Sequence, residues 1–323
     1  MARLQHSLNP SSNERYLNFH QFAAAGLILN LFVILWGAYV RASGSGAGCG
    51  QHWPLCNGQI LPQSPQLHTI IEFIHRLSSG MCLVFAVILY GWSRRRFPKG
   101  HLARNASGAT LAFTLSEAIV GAGLVLFALV AHDQSAARAF SISIHLVNTL
   151  ILLACLTLAY RWSHIKPDDR NTRLSMPAKL GPWLIGSLVS LTLLGITGAL
   201  TALGDTLFKS KSLSAGMAQD FAKGSHFLIK LRILHPALAV VTAALLLLLP
   251  EICERTQPGL TRLHRPAKIL QALVLVQLAF GALNLTFLAP TWMQLTHLLL
   301  ADTVWICLVL LAASAFETTA ETA

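Results

Sequence analysis

The stretch Ile70-Ile71-Glu72-Phe73-Ile74-His75-Arg76-Leu77 opens an apolar run that continues through Met81-Cys82-Leu83-Val84-Phe85 to Trp92. A carboxylate, an imidazole and a guanidinium fall within five residues at the edge of a segment long enough to cross a hydrocarbon layer. A charged side chain deep in such a helix costs about 2.5–3.5 kcal/mol. A polar or metallic partner is therefore expected on the face these residues share. On a helix, Glu72 and His75 stand three apart on one face, and Arg76 stands four from Glu72. His145, His235 and His297 bear the same relation to three other apolar runs.

Working outward, the whole chain has the character of that stretch. It is 54% apolar and 11% charged, against roughly 25% charged residues in soluble domains. Mean hydropathy is +0.57 over 323 residues, which places the chain in the polytopic membrane class. The formal charge of +11 does not point to nucleic acid, because the basic residues lie in short connections between apolar runs. Met1 to Phe19 is polar and the first apolar run exceeds a signal-peptide core, so no cleavable signal is expected.

Eight runs are long enough to span: 20–41, 68–92, 105–131, 141–162, 178–203, 228–250, 267–288 and 292–315. Sixteen of the 24 Lys and Arg residues fall on one side. These are Arg3 and Arg15, the cluster Arg94 to Arg104, the cluster Arg161 to Lys179 and the cluster Arg255 to Lys268. The bias predicts that both termini are cytoplasmic. The fifth loop, about 204–227, is long and carries several lysines; it reads as mobile with a short interfacial helix around Ala215–Ala222. Even-numbered helices then run inward, and His75, His145, His235 and His297 all fall in first turns near the outer face.

The spacing also suggests a repeat. His75 to His145 is 70 residues and His235 to His297 is 62. Ile119-Val120-Gly121-Ala122 resembles Ala279-Phe280-Gly281-Ala282, and Gly37-Ala38-Tyr39-Val40 matches Gly198-Ala199-Leu200-Thr201 in position. Two four-helix halves, 1–165 and 175–323, are expected in the same orientation, related by an axis along the membrane normal. The predicted fold is all-α, with eight transmembrane helices in two pseudo-symmetric bundles.

Imidazole is a common axial ligand of haem iron, and a four-helix bundle can hold a flat macrocycle between facing helices. Helices 2 and 4 would supply one pair of ligands, His75 and His145, and helices 6 and 8 the other, His235 and His297. A single intramembrane histidine is often a packing or proton-relay residue, but four in paired positions at one depth favour ligation. Zinc is disfavoured, since no carboxylate or thiolate set stands at ligand spacing. The halves differ three residues before the first histidine of each: Glu72 in one and Arg232 in the other. A carboxylate suits proton transfer or stabilisation of a cation, whereas an arginine suits a haem propionate. A bare ion pair of Glu72 with Arg76 is the plainer alternative.

In the first loop, Cys49 and Cys56 flank His52-Trp53-Pro54-Leu55; facing an oxidising compartment, they can close a disulfide, with a structural staple as the default role. Cys82, Cys155, Cys253 and Cys307 read as small packing residues.

The sequence Gly37-Ala38-Tyr39-Val40-Arg41-Ala42-Ser43-Gly44-Ser45-Gly46, then Cys49 with Trp53-Pro54-Leu55-Cys56-Asn57-Gly58, then Glu72-Phe73-Ile74-His75-Arg76, closely resembles the haem A synthase family. The likeness extends over essentially the whole chain, its second half being marked mainly by His235 and His297. It implies an oxidoreductase that converts the C8 methyl of haem O to the formyl of haem A through two hydroxylations, with oxygen from water. It further implies that Glu72, His75 and His145 form the haem O site, with Arg76 beside it, and that His235 and His297, with Arg232, hold an electron-carrying haem b. Cys49 and Cys56 would form a loop disulfide. Implied partners are a haem O-making farnesyltransferase and an electron acceptor, and a homo-oligomer is compatible with the pattern. Some members carry a second cysteine pair in the fifth loop; residues 204–227 contain none, so a mechanism needing two disulfides does not apply.

Two rival readings use the same residues. A bis-histidyl dihaem electron carrier explains four histidines, but not Glu72 or the cysteine loop, and transfer across the membrane would place haems near opposite faces. A transporter built from parallel repeats would be marked by interrupted helices at mid-membrane, and the runs show none.

Overall fold

In the computed structural model, residues 12–63, 65–169 and 172–318 are described. Arg3 and Arg170, which enter the charge census above, lie outside them. Ten helices occur among the described residues. They are α1 (Ser12–Ala42), α2 (Leu67–Arg96), α3 (Leu102–Leu126), α4 (Ala136–Trp162), α5 (Gly181–Leu207), α6 (Leu213–Phe221), α7 (Phe227–Leu231), α8 (Leu234–Thr256), α9 (Thr261–Thr286) and α10 (Thr291–Phe316). Eight spans are long and apolar enough to cross a membrane, α7 and α8 together making the sixth. The chain is an all-α, multi-pass membrane protein. Large apolar side chains stay exposed along these spans, Ile28, Val84, Val189 and Val240 among them, as a lipid-facing surface requires.

Local chemistry sets where the helices begin and end. Pro98 stops α2 just after its last turn, where Arg94, Arg95 and Arg96 complement the helix dipole. The fourth span was expected from residue 141, but α4 starts at Ala136 because the Ser135 hydroxyl caps it, accepting from the Arg138 N–H at 3.1 Å. Arg138 is buried in that first turn, donating to the carbonyls of Ala131 and Asp133 at 2.7 Å each. The sixth span breaks at Arg232-Ile233. Pro236 lacks an N–H, and its ring would press on the carbonyl four residues back, that of Arg232. The short helix expected near 215–222 is α6, one residue pair earlier than its predicted start.

Packing joins α1 to α2, α2 to α3, α3 to α4, and α4 back to α1. In the same way α5, α8, α9 and α10 each meet the next, and α10 returns to α5. Within each ring, the two histidine-bearing helices stand across from one another rather than side by side. Between the rings, Trp305 on α10 donates its indole N–H to the Leu150 carbonyl on α4 at 2.8 Å, inside a cluster with Leu153 and Val309. Burial is accordingly greatest for α4 and α10, at 44% and 50% of their most apolar windows against 11–22% for the other spans. At the end carrying the first loop, Arg41 of α1 donates to the Ala202 carbonyl and Thr206 hydroxyl of α5 and to Gln294 of α10. At the opposite end, a two-residue ribbon pairs Arg173–Leu174 with Glu317–Thr318. Glu317 there accepts from Arg161 at 2.7 Å and from the Trp162 indole at 3.0 Å.

Candidate functional site

The four histidines lie at similar distances from the starts of their spans. His75 is the ninth residue of α2, His145 the tenth of α4, His235 the ninth of the Phe227–Thr256 span and His297 the seventh of α10. At about 1.5 Å rise per residue, this spread is only a few ångströms. They were expected in first turns; with the spans starting at Leu67, Ala136, Phe227 and Thr291, the rings sit deeper, in the second and third turns.

Each ring meets a glycine on a neighbouring helix. A Cβ on Gly37 of α1 would lie 2.8 Å from His75 Cε1, and one on Gly198 of α5 2.9 Å from His235 Cε1. On Gly281 of α9 it would lie 3.0 Å from His297 Cε1, and on Gly121 of α3 3.9 Å from His145 Cε1. These are the four glycines that the sequence matches above align. They create room for the rings at the centre of each helix ring. Gly37→Ala and Gly198→Ala are therefore expected to displace His75 and His235 and to lower the ligand content of their own sites severalfold. Gly121→Ala, at ordinary contact distance, should be tolerated; absorption spectra of the purified variants check both outcomes.

The rings have polar atoms that the surrounding protein does not satisfy. Nδ1 of His75, of His145 and of His297 is buried without a hydrogen-bond partner. Thr197 Oγ1 stands 3.3 Å from His235 Nδ1. The His235 and His297 rings are perpendicular, with centroids 6.5 Å apart. Two imidazoles on one metal ion stand roughly 6 Å apart between ring centres, given metal–nitrogen bonds of about 2 Å. Among the described residues, no group of three or more His, Cys, Asp or Glu could hold a metal by itself. A site that takes two imidazoles and draws its other ligands from elsewhere fits haem iron and does not fit structural zinc.

Over the first pair, the loop between α1 and α2 is fastened along one face of α2. Cys49 and Cys56 form a disulfide. The Ser45 hydroxyl lies 2.9 Å from His68 Nδ1, and the Thr69 hydroxyl donates to the Gly48 carbonyl at 2.8 Å. A Cβ on Gly48 would fall 2.4 Å from the His68 carbonyl oxygen, so this approach requires glycine. Glu72, 2% exposed, accepts from the Cys49 N–H on Oε2 at 2.8 Å and from Arg76 Nε on Oε1 at 3.1 Å. Arg76 also donates to the carbonyls of His52 and Leu55. The plain reading of Glu72, an ion pair with Arg76, is present, and Glu72 also holds the loop. Among the described residues, no hydrogen bond joins Glu72 to His75.

Arg232 does the corresponding work on the fifth loop. It donates to the carbonyls of Gly204 at 2.8 Å and Phe208 at 2.7 Å, and pairs with Asp205 at 3.1 Å, with Asp220 at 3.9 Å. Burial raises the Asp220 carboxyl, while Arg232 draws it back down. Arg76 and Arg232 are therefore engaged by loop carbonyls and carboxylates, which their sequence positions alone did not indicate.

Sequence reasoning passed over Glu117. It sits inside the third apolar run, where the cost argument that singled out Glu72 applies equally. It is also four residues before Gly121, as Gln277 is four before Gly281. Glu117 Oε1 lies 3.3 Å from His145 Nδ1. Gln277 Nε2 donates to the His297 carbonyl at 3.2 Å and lies 3.4 Å from its ring nitrogen.

The chain matches the family described as cytochrome oxidase assembly protein over residues 20–309. A Thermus thermophilus protein named protoheme IX farnesyltransferase is 43% identical over 297 residues, covering 92% of this chain and 48% of the relative. A protein from Geobacillus kaustophilus named heme A synthase is 34% identical over 180 residues, 55% of this chain and 54% of the relative. Another of that name from Alkalihalophilus pseudofirmus is 39% identical over 97 residues, 30% of this chain and 33% of the relative. The chain spans about half the length, or less, of these curated relatives.

Proposed function

The chain belongs to the cytochrome oxidase assembly protein family, and from that membership we propose that it is a haem A synthase, oxidising the C8 methyl of haem O to a formyl group. The observation that carries this reading is the set of four histidines, two on opposed helices of each ring, with His75, His235 and His297 each given space by a glycine. The proposed substrate half is 1–165, with His75 and His145 holding haem O. The proposed cofactor half is 175–323, in which His235 and His297 would hold haem b. The two halves are read as a repeat sharing one orientation in a bacterial inner membrane, with termini cytoplasmic and both sites towards the outer face.

The reaction converts the methyl group and one water into the formyl group, four protons and four electrons. It proceeds through two hydroxylations, and the resulting gem-diol loses water. Haem b supplies one-electron transfer to an acceptor. The protein's own residues position and shield the substrate. His75 and His145 set the substrate's place through its iron, and the disulfide-closed loop covers that end of α2. Glu72 presents a carboxylate fixed by the Cys49 N–H and Arg76, able to take a proton or to stabilise positive charge as the methyl is oxidised. Arg76 and Arg232 act on their sites by holding the covering loops. A haem O-making farnesyltransferase is proposed as the neighbour that delivers substrate. The Thermus relative's name, on a chain about twice the length of the matched region, supports that pairing.

We read the disulfide as a staple: it closes the loop whose Cys49 N–H donates to Glu72. Replacing both cysteines, Cys49→Ser with Cys56→Ser, should slow haem A formation severalfold and leave the haem b spectrum intact. Assay of haem A by extraction and chromatography checks this. Unchanged formation would show that the loop needs no covalent closure.

The reading itself is tested by purifying the protein from cells supplying haem O and identifying its extracted haems by chromatography with mass detection. Haem b together with haem O or haem A, the latter lost selectively in a His75 variant, supports it. Haem b alone at two per chain, unaffected by added haem O, would replace it with a dihaem electron carrier.

A further inference from the structure

We infer that Glu117 is the positioning residue of the first histidine pair: it fixes the His145 ring through Nδ1 and strengthens His145 as a ligand. The inference rests on the haem-site reading above. It begins from a carboxylate that needs explaining. Glu117 lies within the third span, its side chain 22% exposed, and among the described residues its only ion-pair contact is His145. No lysine or arginine offsets the cost of placing it there.

Two neighbours on α4 hold the carboxylate still. The Asn148 amide donates to Oε2 and the Thr149 hydroxyl donates to Oε1. Asn148 also donates to the Phe113 carbonyl on α3 at 3.0 Å. Asn148 and Thr149 stand three and four residues after His145, on the helix face the histidine shares. The result is a carboxylate aimed at one ring nitrogen by the same helix that carries the ring. A carboxylate facing Nδ1 keeps the proton there and leaves Nε2 free to ligate. It also raises the electron-donating power of the imidazole.

The second pair lacks this device. At the aligned position Gln277 is neutral, and its amide donates to the His297 backbone carbonyl. His235 faces the Thr197 hydroxyl and the Leu194 backbone. Among the described groups facing these ring nitrogens, one carboxylate therefore distinguishes the first pair from the second. The first pair should hold its iron more firmly in the oxidised state, because a carboxylate behind the ligand stabilises the extra positive charge.

A redox titration of the full chain carrying haem O in the first site and haem b in the second tests the inference, followed by visible absorption. Glu117→Gln is expected to move one component positive by about 59 mV, the one-electron equivalent of a tenfold change in its reduction equilibrium. The other component should stay in place. Glu117→Asp, which keeps the charge on a shorter arm, should move the same component by less. No shift in either variant, or equal shifts of both components, would overturn the inference. A second measurement separates contact from general charge and does not rely on the native ring. In His145→Gly, added imidazole should restore the two-imidazole spectrum. The double variant with Glu117→Gln should need about tenfold more imidazole. Equal imidazole affinity with and without the carboxylate would also overturn it. If His145→Gly loses no haem at all, the site reading fails and this inference falls with it. Loss of haem without any Glu117 effect leaves the site reading standing and refutes this inference alone.

Discussion

His75→Ala and His145→Ala should each reduce haem A formation at least about 100-fold, the upper range for disturbing a metal-site ligand set, while leaving a haem b spectrum. The two rings project from α2 and α4, which face each other across a closed ring of four helices. The His75 ring fills space that Gly37 leaves open, and truncation of either histidine to alanine would remove that ligand from the site. The second pair lies on α8 and α10, in the other ring of helices. The contacts between the rings include Trp305 with Leu150 and Arg41 with Ala202, Thr206 and Gln294, and loss in one site should leave the other in place. Reduced-minus-oxidised spectra and haem extraction from the same preparation measure both effects. If the haem b spectrum vanished in His75→Ala while haem A still formed, the roles proposed for the two halves would be exchanged.

The helices were legible because lipid demands long apolar runs, and those runs contain few interruptions. Their starts were less so. α4 begins with Ala136, Ala137 and a buried Arg138, and its position is set by a serine cap and two loop carbonyls that no apolar count detects. The histidines stood out because a polar ring in an apolar run is costly on its own. Glu117 carried the same signal but lay in the middle of its run, among glycines and alanines that had already been read as repeat markers. The arginines show the opposite limit. Sequence places a cation three residues before His235, but only the folded loop supplies Gly204, Phe208 and Asp205 as its partners. For the first loop, the cysteine spacing indicated a closed turn. That the turn delivers a backbone N–H to Glu72 depends on Gly48 coming close to the α2 backbone, a tertiary fact.

Glu72→Gln should still bind haem O yet form haem A roughly 100-fold more slowly, the scale on which a positioned proton acceptor contributes. The carboxylate is buried at the junction of loop and helix, and each oxygen accepts from a different donor, Cys49 N–H on one side and Arg76 on the other. An amide retains the shape but presents only one acceptor, so its nitrogen must face one of those two donors. Two consequences can therefore be separated. If charge at Glu72 serves the chemistry, the variant keeps haem O, detected by extraction, and stalls before the formyl product. If Glu72 serves only to hold the loop, haem O binding weakens together with turnover. Arg76→Lys should then reproduce the defect, since lysine keeps the charge but cannot reach Glu72, His52 and Leu55 together. Normal turnover in Glu72→Gln would reduce Glu72 to a partner of Arg76 and leave the oxidation of the methyl group to be explained by the histidine pair alone.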